Sequence, residues 1–283
     1  MIQKVNFGAS VDHRLNNMMD LILRTSPTPH TDSNRDASTK VETSNVLVLP
    51  EMWPVGFFNF DKYQDFADKH FHRFETFLKE ISSSLKCWVF GGSGPYRVGE
   101  SYYNRAVAMS PAGDTYYFDK LHLFAYKSRE AEILTSGRQL VAFDSPLGKT
   151  GMLTCFDLRF PEAFRALREQ GCEAYVVVAA WPKTRLRHWK ALLIARAIEN
   201  QAWVIGVNGH GLDFGTELGG GSMIVAPDGR TITELTDESQ SQIVTISPDT
   251  PRQIREEFPF NDSTIPELLG ALSTFPISSS VAK

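Results

Sequence analysis

Gly151-Met152-Leu153-Thr154-Cys155-Phe156-Asp157-Leu158-Arg159-Phe160-Pro161-Glu162 is the stretch that decides how this chain folds. Gly151 to Thr154 reads as a short buried strand. Pro161 and Glu162 read as the first turn of a helix, where proline lacks nothing that a first turn needs and an acidic side chain suits the helix dipole. Cys155 therefore stands where a strand ends and the chain turns, the place where sites gather in open α/β sheets. A thiol followed by the backbone N–H groups of a turn suits a nucleophile beside an anion-stabilising pocket. Taken alone, it equally suits a small buried hydrophobe, the commonest role of a free cysteine.

The same strand-to-helix alternation extends on both sides. Upstream, Leu15 to Leu23 has helical spacing, Val46 to Leu49 is a continuous apolar run ending at Pro50-Glu51, and Asp65 to Leu85 carries the period of a long helix. Cys87 to Phe90 is a strand running into Gly91-Gly92-Ser93-Gly94, which reads as a turn. Arg105 to Met109 and Thr115 to Phe118 pair through Ser110 to Asp114 as a hairpin. Val141 to Phe143 turns through Ser145 to Gly148 into the strand before Cys155. Downstream come a helix to Gln170 stopped by Gly171, a strand over Ala174 to Ala180, a helix over Leu186 to Gln201 and a strand over Trp203 to Val207. Ser222 to Ala226 and Ile243 to Ile246 are the last strands expected. Strands alternating with helices, with hairpins among them, argue for one α/β domain with mixed sheets over about residues 1–260. Ser26 to Ser44 is polar and reads as a surface insertion; 261–283 read as a tail.

Composition narrows the function. The 283 residues are 42% hydrophobic and carry a formal charge of -4, which gives no electrostatic reason to expect nucleic acid or an acidic membrane as partner. The three cysteines are too few and too scattered for a disulfide framework or a metal site, and they suit a reducing compartment. With neither a membrane-spanning run nor a signal peptide in the sequence, the expected location is the cytoplasm.

Three ionisable residues share one address. Glu51, Lys120 and Cys155 each stand just past the end of an apolar strand. If those strand ends meet, a carboxylate can take the thiol proton, the thiolate can attack a carbonyl, and the ammonium can stabilise the oxyanion. Singly, Glu51 reads as a helix-cap carboxylate and Lys120 as a solvated loop charge.

Leu49-Pro50-Glu51-Met52, Asp119-Lys120-Leu121-His122-Leu123-Phe124 and the stretch from Thr154 to Glu162 resemble, in order and spacing, the three signatures of the nitrilase (carbon–nitrogen hydrolase) superfamily. Ala195 to Gln201 and Gly221 to Gly229 resemble two further blocks, so the likeness spans about Leu15 to Pro259. The resemblance implies a four-layer αββα sandwich that dimerises through its helical faces. It implies Glu51 as general base, Lys120 as oxyanion-stabilising lysine, Cys155 as nucleophile and the Phe156 N–H as a second oxyanion donor, with no cofactor and no metal. A second pocket glutamate, seven residues before a glycine, falls on Glu130 when counted from Gly137; Glu132 is the neighbour it could be confused with.

Trp181-Pro182-Lys183 to His188-Trp189, Ala195 to Gln201 and Arg255 to Pro259 resemble the ω-amidase-like branch, which implies a small amide such as 2-oxoglutaramate or 2-oxosuccinamate as substrate. Arg159 is the candidate for its carboxylate, with a structural ion pair as the other reading, and Trp181 either lines the pocket or packs the core. Deaminated-glutathione amidase and N-carbamoyl amidohydrolase chemistry are the alternatives, and a scaffold that keeps the fold is the alternative outside enzymology. Tyr103, Asn104, Arg196 and Glu199 read as structural. A Cys–His site using His122, His188 or His210 lacks a matching local block, and zinc spacing is absent. One departure concerns the start: the family has a full core strand ending near Gln3, of which this sequence holds little, and a sheet edge left open there is expected to cost stability.

Overall fold

The computed structural model describes residues 1–3, 10–25, 44–238, 240–263 and 276–278. Most of the expected insertion, 26–43, and most of the expected tail lie outside the described residues. The elements are α1 (Val11–Thr25), β1 (Val46–Val48), α2 (Tyr63–Lys69), α3 (Phe71–Leu85), β2 (Trp88–Val98), β3 (Ser101–Met109), β4 (Thr115–Asp119), α4 (Glu130–Ile133), β5 (Leu140–Ser145), β6 (Gly148–Thr154), α5 (Pro161–Glu169) and β7 (Ala174–Ala179). They continue with α6 (Leu186–Asn200), β8 (Trp203–Asn208), β9 (His210–Asp213), β10 (Thr216–Gly219), β11 (Met223–Val225), β12 (Thr231–Glu234), α7 (Thr250–Glu257) and β13 (Ile277–Ser278).

Two sheets face each other. One has the order β1-β2-β3-β4; the other runs β12-β11-β8-β7-β6-β5-β13, with β6, β7 and β8 parallel. The period of two in the strands builds the layers. Val89, Val107 and Met109 pack outward against Phe74 and Leu78 of α3, whereas Phe90, Ala106 and Ala108 pack with Phe143 and Met152 of the other sheet. Helices α5 and α6 cover the far face of that sheet, where Phe164, Leu167, Trp189 and Leu193 are buried. The result is an αββα sandwich. Strand β7 is buried along its whole length, as a strand covered on both faces must be. Each fully buried Val or Phe contributes roughly 1.5–3 kcal/mol, so the strand ends that carry the site rest on rigid material.

Three local expectations are corrected. The helix expected over Asp65 to Leu85 is two helices broken at His70. Phe66 and Phe71 are five residues apart, which would turn them about 140° from one another in an unbroken helix; the break lets both face the sheet. Gly91 to Gly94 is not a turn but part of β2, where the register shifts between Phe90 and Ser93. Its glycines mark close approaches: a Cβ on Gly92, whose φ is +74°, would lie 1.9 Å from the Pro50 carbonyl oxygen. Ile243 to Ile246 alternates as a strand does, with Val244 and Ile246 against the core and Ile243 exposed, but it pairs with no strand among the described residues and forms none. The β9–β10 hairpin forms although its sequence has no apolar run to mark it.

Met1 to Gln3 do more than an isolated fragment would. The Ile2 N–H donates to the Val48 carbonyl at 3.2 Å, so the chain lies along β1 at the edge of the first sheet. Gln3 is buried: its N–H donates to Gln240 O at 3.0 Å, its carbonyl accepts from His210 N–H at 2.9 Å, and its side-chain oxygen accepts from Ser222 N–H at 3.2 Å.

Candidate active site

Each strand end delivers one group. After β1, Leu49 N–H bonds to Phe90 O at 2.8 Å and Met52 N–H to Ser93 Oγ at 3.2 Å, which fixes the turn holding Glu51. After β4, Lys120 N–H bonds to Asn104 O at 3.0 Å while the Lys120 carbonyl accepts from Gly137 N–H at 2.8 Å. Glu130 opens the short helix α4. After β6, Cys155 opens a tight helical turn over Cys155–Arg159.

Cys155 has a φ of 49°, the left-handed region that non-glycine residues avoid. Such strain costs on the order of 1–3 kcal/mol and persists only where neighbours over-determine it. Here the Asp157 carboxylate accepts Thr154 N–H at 3.1 Å and His122 N–H at 2.8 Å, and His122 Nδ1 lies 2.8 Å from it. Arg196 donates to Leu158 O at 2.8 and 3.2 Å and pairs with Glu199 at 2.9 Å, the tying role read for both. Asp157 is thus a second-rank residue that joins the β4 end to the thiol's turn; the sequence motif contains it, but spacing alone gives it no partner.

The three groups and Glu130 do converge. Lys120 Nζ donates to Glu51 Oε1 at 3.0 Å and to both oxygens of Glu130 at 2.9 Å. Asn104 Nδ2 donates to Glu51 Oε1 at 2.8 Å and Glu130 Oε1 at 3.0 Å, so this supposedly structural residue belongs to the cluster. Ala180 N–H holds Glu51 Oε2 at 2.8 Å, and Phe124 N–H holds Glu130 Oε2 at 2.7 Å. Every oxygen of both carboxylates therefore faces a donor, as buried charge requires. Glu132 points away, exposed and paired with Arg129 at 3.6 Å.

Burial is the largest influence on Lys120, Glu130 and Cys155. It alone would lower the Lys120 pKa, but Glu130 and then Glu51 more than offset it, so the ammonium is held. It raises Glu130, against the pull of Lys120, Phe124 N–H and Asn104. It pushes the Cys155 thiol well up, Glu51 adds to that, and Lys120 opposes it. Burial and the nearness of Glu51 thus favour the thiol form of Cys155, with Lys120 opposing them.

Cys155 opens into a cleft lined also by Phe57, Phe58, Phe124, Phe156 and Trp181, with Arg159 and Arg185. Trp181 both lines the cleft and is nearly fully buried, so its two readings are both realised. Arg159 is in no ion pair with Asp or Glu among the described residues; it stacks 4.7 Å over Trp181 and donates to His188 Nδ1 at 3.3 Å. Arg185 was not foreseen, because Lys183, Arg185 and Arg187 look alike in sequence and only the turn before α6 selects one of them. None of the three histidines lines the cleft: His122 is held by Asp157, His188 by Arg159, and His210 lies 3.5 Å from Asp237. Among the described residues no group of His, Cys, Asp and Glu is arranged to hold a metal ion.

An αββα sandwich with these groups buried at its strand ends defines a class, the hydrolases built on two facing sheets. The chain belongs to the carbon–nitrogen hydrolase family, whose model matches residues 8–256, and it is a hydrolase acting on carbon–nitrogen bonds. It is similar to the 2-oxoglutaramate amidase of Paenarthrobacter nicotinovorans, at 32% identity over 234 residues, covering 80% of each chain. It is 35% identical over 228 residues to the "hydrolase in agr operon" of Staphylococcus lugdunensis, covering 80% of this chain and 97% of that one. The carbon–nitrogen hydrolase structure from Helicobacter pylori G27 superposes with a TM-score of 0.80 over 98% of both chains at 19% identity, a likeness of fold.

Proposed function

We propose that this chain is an ω-amidase-like enzyme that hydrolyses the terminal amide of a small carboxylate-bearing substrate, 2-oxoglutaramate or 2-oxosuccinamate, through a thioester on Cys155. The observation that carries the reading is a cleft whose reactive end is Cys155 against Glu51 and Lys120, while its charged lining is cationic. Similarity to a 2-oxoglutaramate amidase supports the choice of substrate.

Glu51 takes the Cys155 proton as sulfur attacks the amide carbon, and the carbonyl oxygen becomes an oxyanion. Lys120 and the Phe156 N–H stabilise that charge. Because Lys120 spends two of its contacts on Glu130, it can turn one hydrogen to the oxyanion without losing its hold. The C–N bond breaks as Glu51 returns the proton to nitrogen, and ammonia leaves. Glu51 then takes a proton from water, hydroxide attacks the thioester, and the C–S bond breaks as the thiol is reprotonated. Glu130 and Asn104 position Glu51 and Lys120, and Arg159 takes the substrate carboxylate.

The reaction is tested by ammonia release from 2-oxoglutaramate, 2-oxosuccinamate, deaminated glutathione and N-carbamoyl amino acids. Turnover of either of the first two, lost in Cys155→Ala, is the expected result. Preference for one of the others would move the substrate, and activity surviving Cys155→Ala would remove the mechanism. Among the described residues no helix is long and apolar enough to cross a membrane, and three free, buried cysteines favour the cytoplasm. A homodimer through α5 and α6 is in keeping with Ile198, an apolar side chain left 47% exposed near the C-terminal end of α6.

A further inference from the structure

Among the described residues, two guanidinium groups, Arg159 and Arg185, are the only charged side chains lining the cleft. Other arginines find acidic partners: Arg105 is one, paired with Asp119 at 2.7 Å, and Arg252 another, with Glu173 at 2.8 Å. Neither cleft arginine pairs with a carboxylate among the described residues. Both are instead held by the walls. Arg159 stacks on Trp181 and bonds His188. Arg185 lies 5.1 Å from the Tyr126 ring, and its carbonyl accepts Trp181 Nε1–H at 2.9 Å. Burial first, and then the nearness of Arg185, lower the pKa of Arg159. Two like charges held together without a counterion are unfavourable until an anion arrives, and the wall contacts aim them before it does.

We propose that Arg159 and Arg185 form a two-guanidinium clamp for the oxo-acid end of the substrate, and that Arg185 is the residue that selects a 2-oxo acid over the matching amino acid. The clamp rests on the amidase reading for its substrate. A 2-oxo acid offers a carboxylate and an adjacent carbonyl, all of them acceptors. Guanidinium groups offer only donors. One arginine takes the carboxylate in a fork and the other takes the 2-oxo oxygen. Glutamine would put an ammonium, three donors and a like charge, where that oxygen belongs, and no carboxylate among the described residues lines the cleft to receive it.

The experiment compares Arg185→Gln with the parent protein on 2-oxoglutaramate, L-glutamine and pentanamide, which lacks the carboxylate. The ratio of kcat/KM for 2-oxoglutaramate over pentanamide should fall at least about tenfold, and the ratio of glutamine to 2-oxoglutaramate should rise. Calorimetric binding of the product-like 2-oxoglutarate to Cys155→Ala should exceed that of L-glutamate. It should weaken at least about tenfold when Arg185→Gln is added, and Arg185→Lys should recover part of it. An equal loss on 2-oxoglutaramate and pentanamide would mean that Arg185 only supports the fold. Equal binding of 2-oxoglutarate and L-glutamate, or no binding of either, would overturn the clamp. Arg185-dependent 2-oxoglutarate binding by a protein that hydrolyses no amide would instead keep the clamp and remove the amidase reading.

Discussion

Lys120 holds Glu130 by both carboxylate oxygens, each 2.9 Å from its ammonium, with neither side chain reached by solvent. Glu130→Gln keeps the shape and breaks the match. One Glu130 oxygen faces Lys120 and Asn104 Nδ2; the other faces Lys120 and Phe124 N–H. Whichever way the amide lies, its NH2 meets donors. Breaking one side of a buried pair costs roughly 3–5 kcal/mol, so the variant should unfold at lower temperature. With Lys120 no longer aimed, kcat/KM for 2-oxoglutaramate should fall on the order of a hundredfold. Unchanged melting and unchanged turnover would show that Glu130 positions nothing.

The three thiols should separate by reactivity. Burial pushes Cys87 up to about 11 and Cys172 up to about 12, and neither lines the cleft. Cys155 is raised too, first by burial and then by Glu51, but it has a base beside it and an open path. Iodoacetamide at neutral pH should add one group per folded chain, mapped to Cys155 by mass spectrometry. Glu51→Gln should slow that addition by roughly a hundredfold or more, because the proton loses its acceptor. Adducts on Cys87 or Cys172 of folded protein would contradict this.

The layers and the strand ends were legible because buried parallel strands read as unbroken apolar runs: Val46 to Leu49 and Ala174 to Ala180 are of that kind. Glu51 and Cys155 could be singled out because each follows such a run, and Lys120 because it follows the hairpin strand β4. Asn104 could not. It lies inside β3, and its contact with Glu51 spans 53 residues of chain, so only the folded sheet shows it. Arg185 failed for a similar reason, as one of several cations in a mixed run. The break at His70 and the bulge in β2 follow from tertiary fit, the facing of Phe66 and Phe71 and the approach of Gly92 to Pro50, which local propensity does not record.

Asn104 makes its own prediction. Its amide donates to Glu51 and Glu130 together, and its Oδ1 is buried without a partner among the described residues. Hydrogen bonds to charged groups are worth about 1.5–3 kcal/mol, so Asn104→Ala should lower stability to urea by about that much and reduce turnover. Asn104→Asp should be worse although it is closer in shape, because a third carboxylate would enter a cluster that holds one ammonium. Urea midpoints ordered parent, Ala, Asp are expected; the reverse order for the two variants would exclude the electrostatic account.

Asp213, at the end of β9, sets a pH dependence of stability. It is buried against the turn after Glu51: its Oδ2 accepts Phe58 N–H at 3.2 Å, and a Cβ on Gly56 would lie 2.7 Å from its Oδ1. Burial raises its pKa from 3.8 to about 6, against the Phe58 and Phe57 N–H groups and Arg14. The folded chain therefore keeps a proton that the unfolded chain has released between those two values. Stability must fall as pH rises through this window and level off above about 6, by on the order of 3 kcal/mol from this residue. Asp213→Asn carries no such charge. It should match the parent below the window and exceed it at neutral pH, with urea unfolding at both ends giving the difference. Because the same carboxylate holds the segment that supplies Phe57 and Phe58 to the cleft, ammonia release should be followed in parallel. A stability difference between variant and parent that does not change with pH would remove Asp213 as the source.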